Sequence, residues 1–361
     1  MKRFFLYNIL AIFLSLPISF CDEFEISVID TAIDFDHPML NVHQSKLGIY
    51  DPFLGQRFDR NWDHSNEFLD DWYHGTHVAG IISSHFETDL LHTPKINSIF
   101  YIRGDESDDP MDSNESLENQ SKIIFKNLET FLNDVRPKVV NLSIGENFQE
   151  YLLSISIAVM MEESFNHKYF SNRRVNRKIK KEFNRLMDIE KKDWLKIFEK
   201  YPKTLFVIAA GNDSRKLERR KKVNWFIPFD VQKYTERLFA SPFLLKGYKS
   251  FIADINLKNT ITVGSWNGVK SNPKASSFSN YGGGFVDIMA KGENVLSTVP
   301  GGEFEELSGT SMAAPQISGI AANILQSDLD LSPIEIKRKI YDRASYSKNL
   351  LGKSRFGRFI P

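Results

Sequence analysis

This sequence predicts an α/β fold in which a mostly parallel sheet is covered by helices on both faces. Two observations carry that expectation. Short apolar runs of strand character (Phe24–Ile29, Ile96–Tyr101, Val139–Gly145, Leu205–Ala210, Thr260–Gly264) alternate along the chain with runs of helical period. Buried strands separated by helices need crossover connections, which make a parallel sheet with helices on its faces. Two of these runs also lead into polar residues, Asp30 and Asn212. In such folds, ligands and chemistry gather beyond the carboxyl ends of strands.

The chain has 361 residues, 42% of them hydrophobic, which is ample for a large core in one domain or two. Its 46 basic and 46 acidic side chains cancel, which excludes an overall polyelectrolyte character but not local patches. Lys2 and Arg3 precede a mostly apolar run from Phe4 to Phe20, short for a membrane span and in the pattern of a secretory signal over residues 1–21. Ser19 and Cys21 are the small residues ahead of a cleavage before Asp22. Cys21 is the sole cysteine, and a lipoprotein-type cleavage would acylate it, although Phe20 stands where a small residue is usual. Either route predicts an exported protein, extracellular or periplasmic, whose mature part (22–361) has no disulfide.

In chain order, Phe24–Ile29 runs into Asp30 as a buried strand ending in an acid, a residue that otherwise caps turns. Residues 39–69 read as loop, with Gly48, Pro52 and Gly55 breaking any period. Asp70 and Asp71 lead to His74, from which a helical pattern begins with Val78, Ile81 and Ile82. After the Ile96–Tyr101 strand, Gly104–Ser121 holds 7 acidic residues, among them Asp105, Asp108 and Asp109, and no basic one. Ile123–Val135 reads as an amphipathic helix, and Val139–Gly145 as a buried strand.

An insertion near 151–202 carries a helical stripe of Ile179, Phe183, Met187, Trp194 and Phe198. From Lys168 to Lys200 it holds 12 basic and 5 acidic residues, and Arg215–Lys222 adds 6 basic and 1 acidic. The plain reading is a packed helix with a solvated basic face. The alternative is a docking surface for an anionic surface or an acidic partner, and no nucleic-acid motif accompanies the charge. Leu205–Ala210 then leads into Gly211-Asn212, and a second insertion spans 214–255. Strands near Phe285–Met289 and Val295–Thr298 precede a Gly-flanked turn at Ser311. That serine opens an apolar helical run, beside free backbone donors, with Pro315 expected within the first turn. Ser332, Pro333 and Glu335 mark a capped helix over Pro333–Tyr341.

Four blocks carry a resemblance. Ser27–Pro38 reads SVIDTAIDFDHP, His74–Gly80 reads HGTHVAG, Ala209–Asp213 reads AAGND and Gly309–Pro315 reads GTSMAAP. Their residues and order resemble the subtilisin-like serine proteases across nearly the whole chain. The resemblance implies the three-layer, doubly wound fold of that family and a secreted serine endopeptidase. It also implies an Asp30–His74–Ser311 triad, with His77 structural. An oxyanion hole would form from the Asn212 side chain and the Ser311 amide, with no cofactor in the chemistry. Substrate would lie along Ser143, Ile144, Gly145, Ala210 and Gly211, with Asp70, Asp71, Asp105, Asp108 and Asp109 near the non-primed subsites. Structural calcium ligands are not identifiable. Two departures stand out: Ala32 and Glu146 occupy positions where the family commonly has glycine. Secreted members commonly carry a pro-domain, and with only Asp22–Ile29 between the expected signal and Asp30 none is expected here. A catalytically silent peptide-binding or surface-docking protein is the alternative function.

Overall fold

The structure, a computed structural model, describes residues 22–58, 70–88, 90–100, 117–144, 159, 172–214, 216–217 and 252–361. Seven strands make the parallel part of the sheet: β1 (Asp22–Asp30), β2 (Gln44–Asp51), β4 (His92–Phe100), β5 (Val139–Leu142), β6 (Leu205–Ala209), β7 (Thr260–Val269) and β9 (Ile288–Lys291). Their lateral order is β9-β7-β6-β5-β1-β4-β2. Antiparallel pieces finish the edges: β3 (Gln56–Phe58) on β2, β8 (Asn272–Ala275) on β7, and β12 (Ser345–Tyr346) on β13 (Arg358–Phe359), which itself pairs in parallel with β9. The chain crosses from β4 over β1 to β5, so the winding reverses beside β1, where an open α/β sheet forms its crevice.

Strand alternation sorts side chains into two cores, one on each face. On β6, Leu205, Val207 and Ala209 join one core while Phe206 and Ile208 join the other. The first core is closed by α1 (Asp70–Ser83), α4 (Thr310–Ser327) and α5 (Pro333–Arg343). The second is closed by α2 (Leu117–Val135) and α3 (Asn172–Lys200). The three-layer expectation holds.

Several details differ from the sequence reading. The stretch 39–69, expected as loop, contains β2 and β3, and residues 59–69 lie outside the described residues. Gly48 and Gly55, which looked like breakers, have φ of 62° and 67°. Gly48 falls at the irregular register of β2, and a Cβ there would lie 2.8 Å from the Phe58 carbonyl oxygen, so the hairpin needs the glycine. A further hairpin, β10 (Val295–Val299) with β11 (Glu303–Leu307), packs β10 on α1, and its second strand was not anticipated. Ala32 is buried and is not among the residues with positive φ, so it brings no strain. In the first insertion, α3 buries Ile179, Met187, Trp194 and Phe198, while the side chain of Phe183 lies outside the described residues. Residues 1–21 with Cys21, Glu146 and most of 214–255 also lie outside. Among the described residues, no helix is long and apolar enough to cross a membrane.

Candidate active site

Alternation on β1 points Phe24, Ile26 and Val28 toward the α1–α4 core, and two residues on it points Asp30 the same way. Asp30 is fully buried, and its Oδ1 accepts from the Thr31 N–H at 2.7 Å and faces His74 Nδ1 at 2.6 Å. His74 lies in the first turns of α1. Gly75 follows it because a Cβ there would lie 2.4 Å from the Thr31 carbonyl oxygen and 2.6 Å from that of Ala32. Its N–H donates to Thr31 Oγ1 at 2.7 Å, which stitches α1 to the end of β1. Burial pulls the His74 imidazole toward neutrality, but the charge and hydrogen bond of Asp30 outweigh it and raise its pKa above the ordinary 6.5. His77 is buried, its pKa lowered by burial, and its Nε2 meets the Glu305 carbonyl of β11 at 2.9 Å, a bracing position.

Ile29 of β1 pairs with Leu142 of β5, which pairs with Ile208 of β6. The residues just beyond these partners are therefore neighbours: Asp30, Ser143, and the Ala209–Asn212 turn. Ser311, the second residue of α4 and buried, joins this row by two reciprocal bonds. Its hydroxyl donates to the Ser143 carbonyl at 3.1 Å, and the Ser143 hydroxyl donates to the Ser311 carbonyl at 3.0 Å. Pro315 is the sixth helical residue rather than part of the first turn, which corrects the sequence reading. It has no N–H to offer the Ser311 carbonyl four residues back.

Asn212 is fixed by its carbonyl oxygen. Oδ1 accepts from Thr310 N and Thr310 Oγ1, both at 2.9 Å, which leaves the side-chain NH₂ as the outward donor. Thr310 Oγ1 also accepts from the Gly211 N–H at 3.1 Å. Gly211 has φ of 94°, and Asn280 braces the turn by donating to the Ala210 carbonyl at 2.9 Å. Thr310 lay inside a recognised block but was not singled out. Asn280 carried no signal, because its partners are 67 to 70 residues away in sequence.

Of the expected substrate-side residues, Ser143 and Ala210 are buried and Ile144 is half-buried against the α2–α3 core. Gly145, Asp105, Asp108 and Asp109 lie outside the described residues, as do the side chains of Asp70 and Asp71, whose backbones open α1. Among the described residues no group of three or more His, Cys, Asp or Glu is placed to hold a metal ion.

The chain resembles Subtilisin-like protease 1 of Plasmodium falciparum, 27% identical over 344 residues, covering 90% of this chain and 40% of that protein. It also resembles Subtilisin Savinase of Lederbergia lenta, 40% identical over 96 residues, covering 26% of this chain and 34% of the relative. The chain thus spans well under two thirds of either relative. Among solved structures, a lanthipeptide protease superposes with a TM-score of 0.56 at 19% identity, covering 93% of this chain and 85% of the other. The A-subunit of the AB5 toxin from E. coli gives 0.54 at 17%, covering 94% and 90%. At those identities the likeness is one of fold. The chain belongs to the Subtilase family, whose profile matches residues 22–358.

Proposed function

We propose that this chain is a serine endopeptidase acting through Asp30, His74 and Ser311, with Asn212 and the Ser311 amide receiving the oxyanion. The 2.6 Å contact between buried Asp30 and His74 Nδ1 carries the reading, because it leaves Nε2 as the imidazole nitrogen available to a hydroxyl. In this mechanism the Ser311 hydroxyl turns from the Ser143 carbonyl to His74 Nε2 and gives up its proton as its oxygen attacks the scissile carbonyl. The imidazolium returns the proton to the leaving amine as the C–N bond breaks. Water then repeats the sequence to free the acyl group. Asp30 holds the useful tautomer and stabilises the cation. The outward NH₂ of Asn212 and the Ser311 N–H, at a helix N-terminus, meet the developing negative charge. A polypeptide strand would add along Ser143–Gly145, which suits many sequences because main chain supplies the bonds.

Reaction with a serine-directed fluorophosphonate tests this. The expected adduct maps to Ser311 by mass spectrometry, and Ser311→Ala loses both adduct and peptide hydrolysis. Asn212→Ala is expected to lower turnover by roughly 10²–10³. No adduct and no hydrolysis would favour the silent peptide-binding reading instead. Export through residues 1–21 belongs to the same proposal, as does an anionic partner on α3. Part of that helix's charge is already matched, with Arg185 on Glu182 and Lys196 on Asp193, each at 2.6 Å. Lys200 pairs with Glu129 and Lys191 with Asp254.

A further inference from the structure

Beyond the nucleophile, α4 carries a defect and a repair. Pro315 removes the amide that would close the helical bond to the Ser311 carbonyl, in a wholly buried segment where an unmet acceptor is costly. The bond is supplied from the residue just past β5. Ser143 Oγ donates to the Ser311 carbonyl at 3.0 Å and accepts from Asn141 Nδ2 at 2.9 Å. Asn141 Oδ1 in turn accepts from Ser318 Oγ at 2.8 Å. All three side chains are fully buried. Alternation along β5 explains why they face α4: Val139 enters its core, and positions 141 and 143 follow at period two, while Val140 and Leu142 face the other way. Ser318 lies two helical turns beyond Ser311, on the same face of α4. The donors run in one direction, from Ser318 through Asn141 and Ser143 to the carbonyl, an arrangement in which each bond polarises the next.

We propose that Asn141, Ser143 and Ser318 are positioning residues: their chain of hydrogen bonds replaces the backbone bond lost at Pro315 and fixes where Ser311 stands. The proposal rests on Ser311 being the nucleophile. It makes a specific claim, that the role of Ser143's hydroxyl depends on residue 315. Alanine at 315 restores an amide to the Ser311 carbonyl, so it should make the Ser143 hydroxyl dispensable.

A double-mutant cycle on the full chain tests this, with Ser143→Ala, Pro315→Ala and both together, read by kcat and KM for peptide hydrolysis and by Tm. Ser143→Ala is expected to lower kcat about tenfold to a hundredfold with little change in KM, because small displacements of a reacting group cost that much. The double variant should recover at least tenfold of that loss and part of the lost Tm. Should Ser143→Ala fail to fold, Ser143→Cys fills the site with a slightly larger side chain that keeps a weaker donor, and its smaller loss should also be relieved by Pro315→Ala. A wild-type chain that hydrolyses peptide while the cycle shows no coupling would overturn the proposal. An inert wild-type chain whose Tm values still couple would sink the nucleophile reading, and with it the positioning role, while the bond from Ser143 would stand.

Discussion

A single carboxylate oxygen, Asp30 Oδ1, serves both the Thr31 amide and the His74 ring, so the position of that ring follows from where β1 ends. The raised pKa of His74 has a sign that can be tested. In the proposed mechanism neutral imidazole is the base, so the acid limb of kcat/KM should have its midpoint above 6.5. Asp30→Asn removes both raising effects and leaves burial, so the midpoint should move to lower pH while the maximum rate falls steeply. Rates measured across roughly pH 5 to 8 decide it, and an unmoved midpoint would refute the pairing. The same shift means the protonated pair stabilises the fold. That contribution is full below the unfolded pKa and disappears as pH rises through the higher folded value. Gly75→Ala should be damaging, because its Cβ would meet two backbone carbonyl oxygens and must push α1 away from β1. Gly284→Ala, where a Cβ meets nothing within 4 Å, is the matched control, and activity and Tm of the two variants should separate clearly. At this scale the four sequence blocks pointed to the residues that the proposed mechanism uses, since such chemistry needs particular side chains close together in short stretches. Thr310 and Asn280 were not singled out because their part is to aim other groups, which no local pattern records.

Helices were more legible than hairpins. The stripe on α3 repeats at helical spacing, and Trp194 is fully buried toward its C-terminal end, edge-on to Phe125 of α2 at 5.2 Å and 5.6 Å from Phe198. Trp194→Ala should cost about 3–5 kcal/mol of stability, read as a lower denaturation midpoint, while kcat of the folded protein stays unchanged. A fall in kcat without a fall in stability would contradict that division. The capping box of α5 was also readable: Ser332 accepts from the Glu335 N–H, and Glu335 Oε2 accepts from the Ser332 N–H at 2.8 Å. Hairpins escaped notice for two reasons. Gly48 and Gly55 mimic loop punctuation, and β11 is mostly exposed and rich in glutamate, so it has no apolar alternation to detect.

For the molecule as a whole, the sequence implied layers but not the order of strands, because pairing between β1 and β5 joins residues over a hundred positions apart. Specificity belongs at this scale too. Asp70 and Asp71, with the acidic run Asp105–Glu118, should favour Lys or Arg on the N-terminal side of the cut. At partly desolvated range, each such contact would be worth roughly 1 kcal/mol, and less if solvated. Cleavage of a diverse peptide library at low and high salt should show basic enrichment at the second to fourth positions before the cut, fading as salt rises. An even distribution there would rule it out.

The two cores described above also divide labour. Both helices that carry the proposed base and nucleophile, α1 and α4, lie on one side of the sheet, while α2 and the long α3 lie on the other. The sheet is thus a partition one strand thick. Behind it, the outer faces of α2 and α3 can change charge or acquire a new neighbour away from Asp30, His74 and Ser311, although Ala210 and Ile144 of the expected substrate edge do touch that core. Divergence among relatives should accordingly concentrate on the α2–α3 side, which makes that side the natural place to graft a tether or an affinity handle.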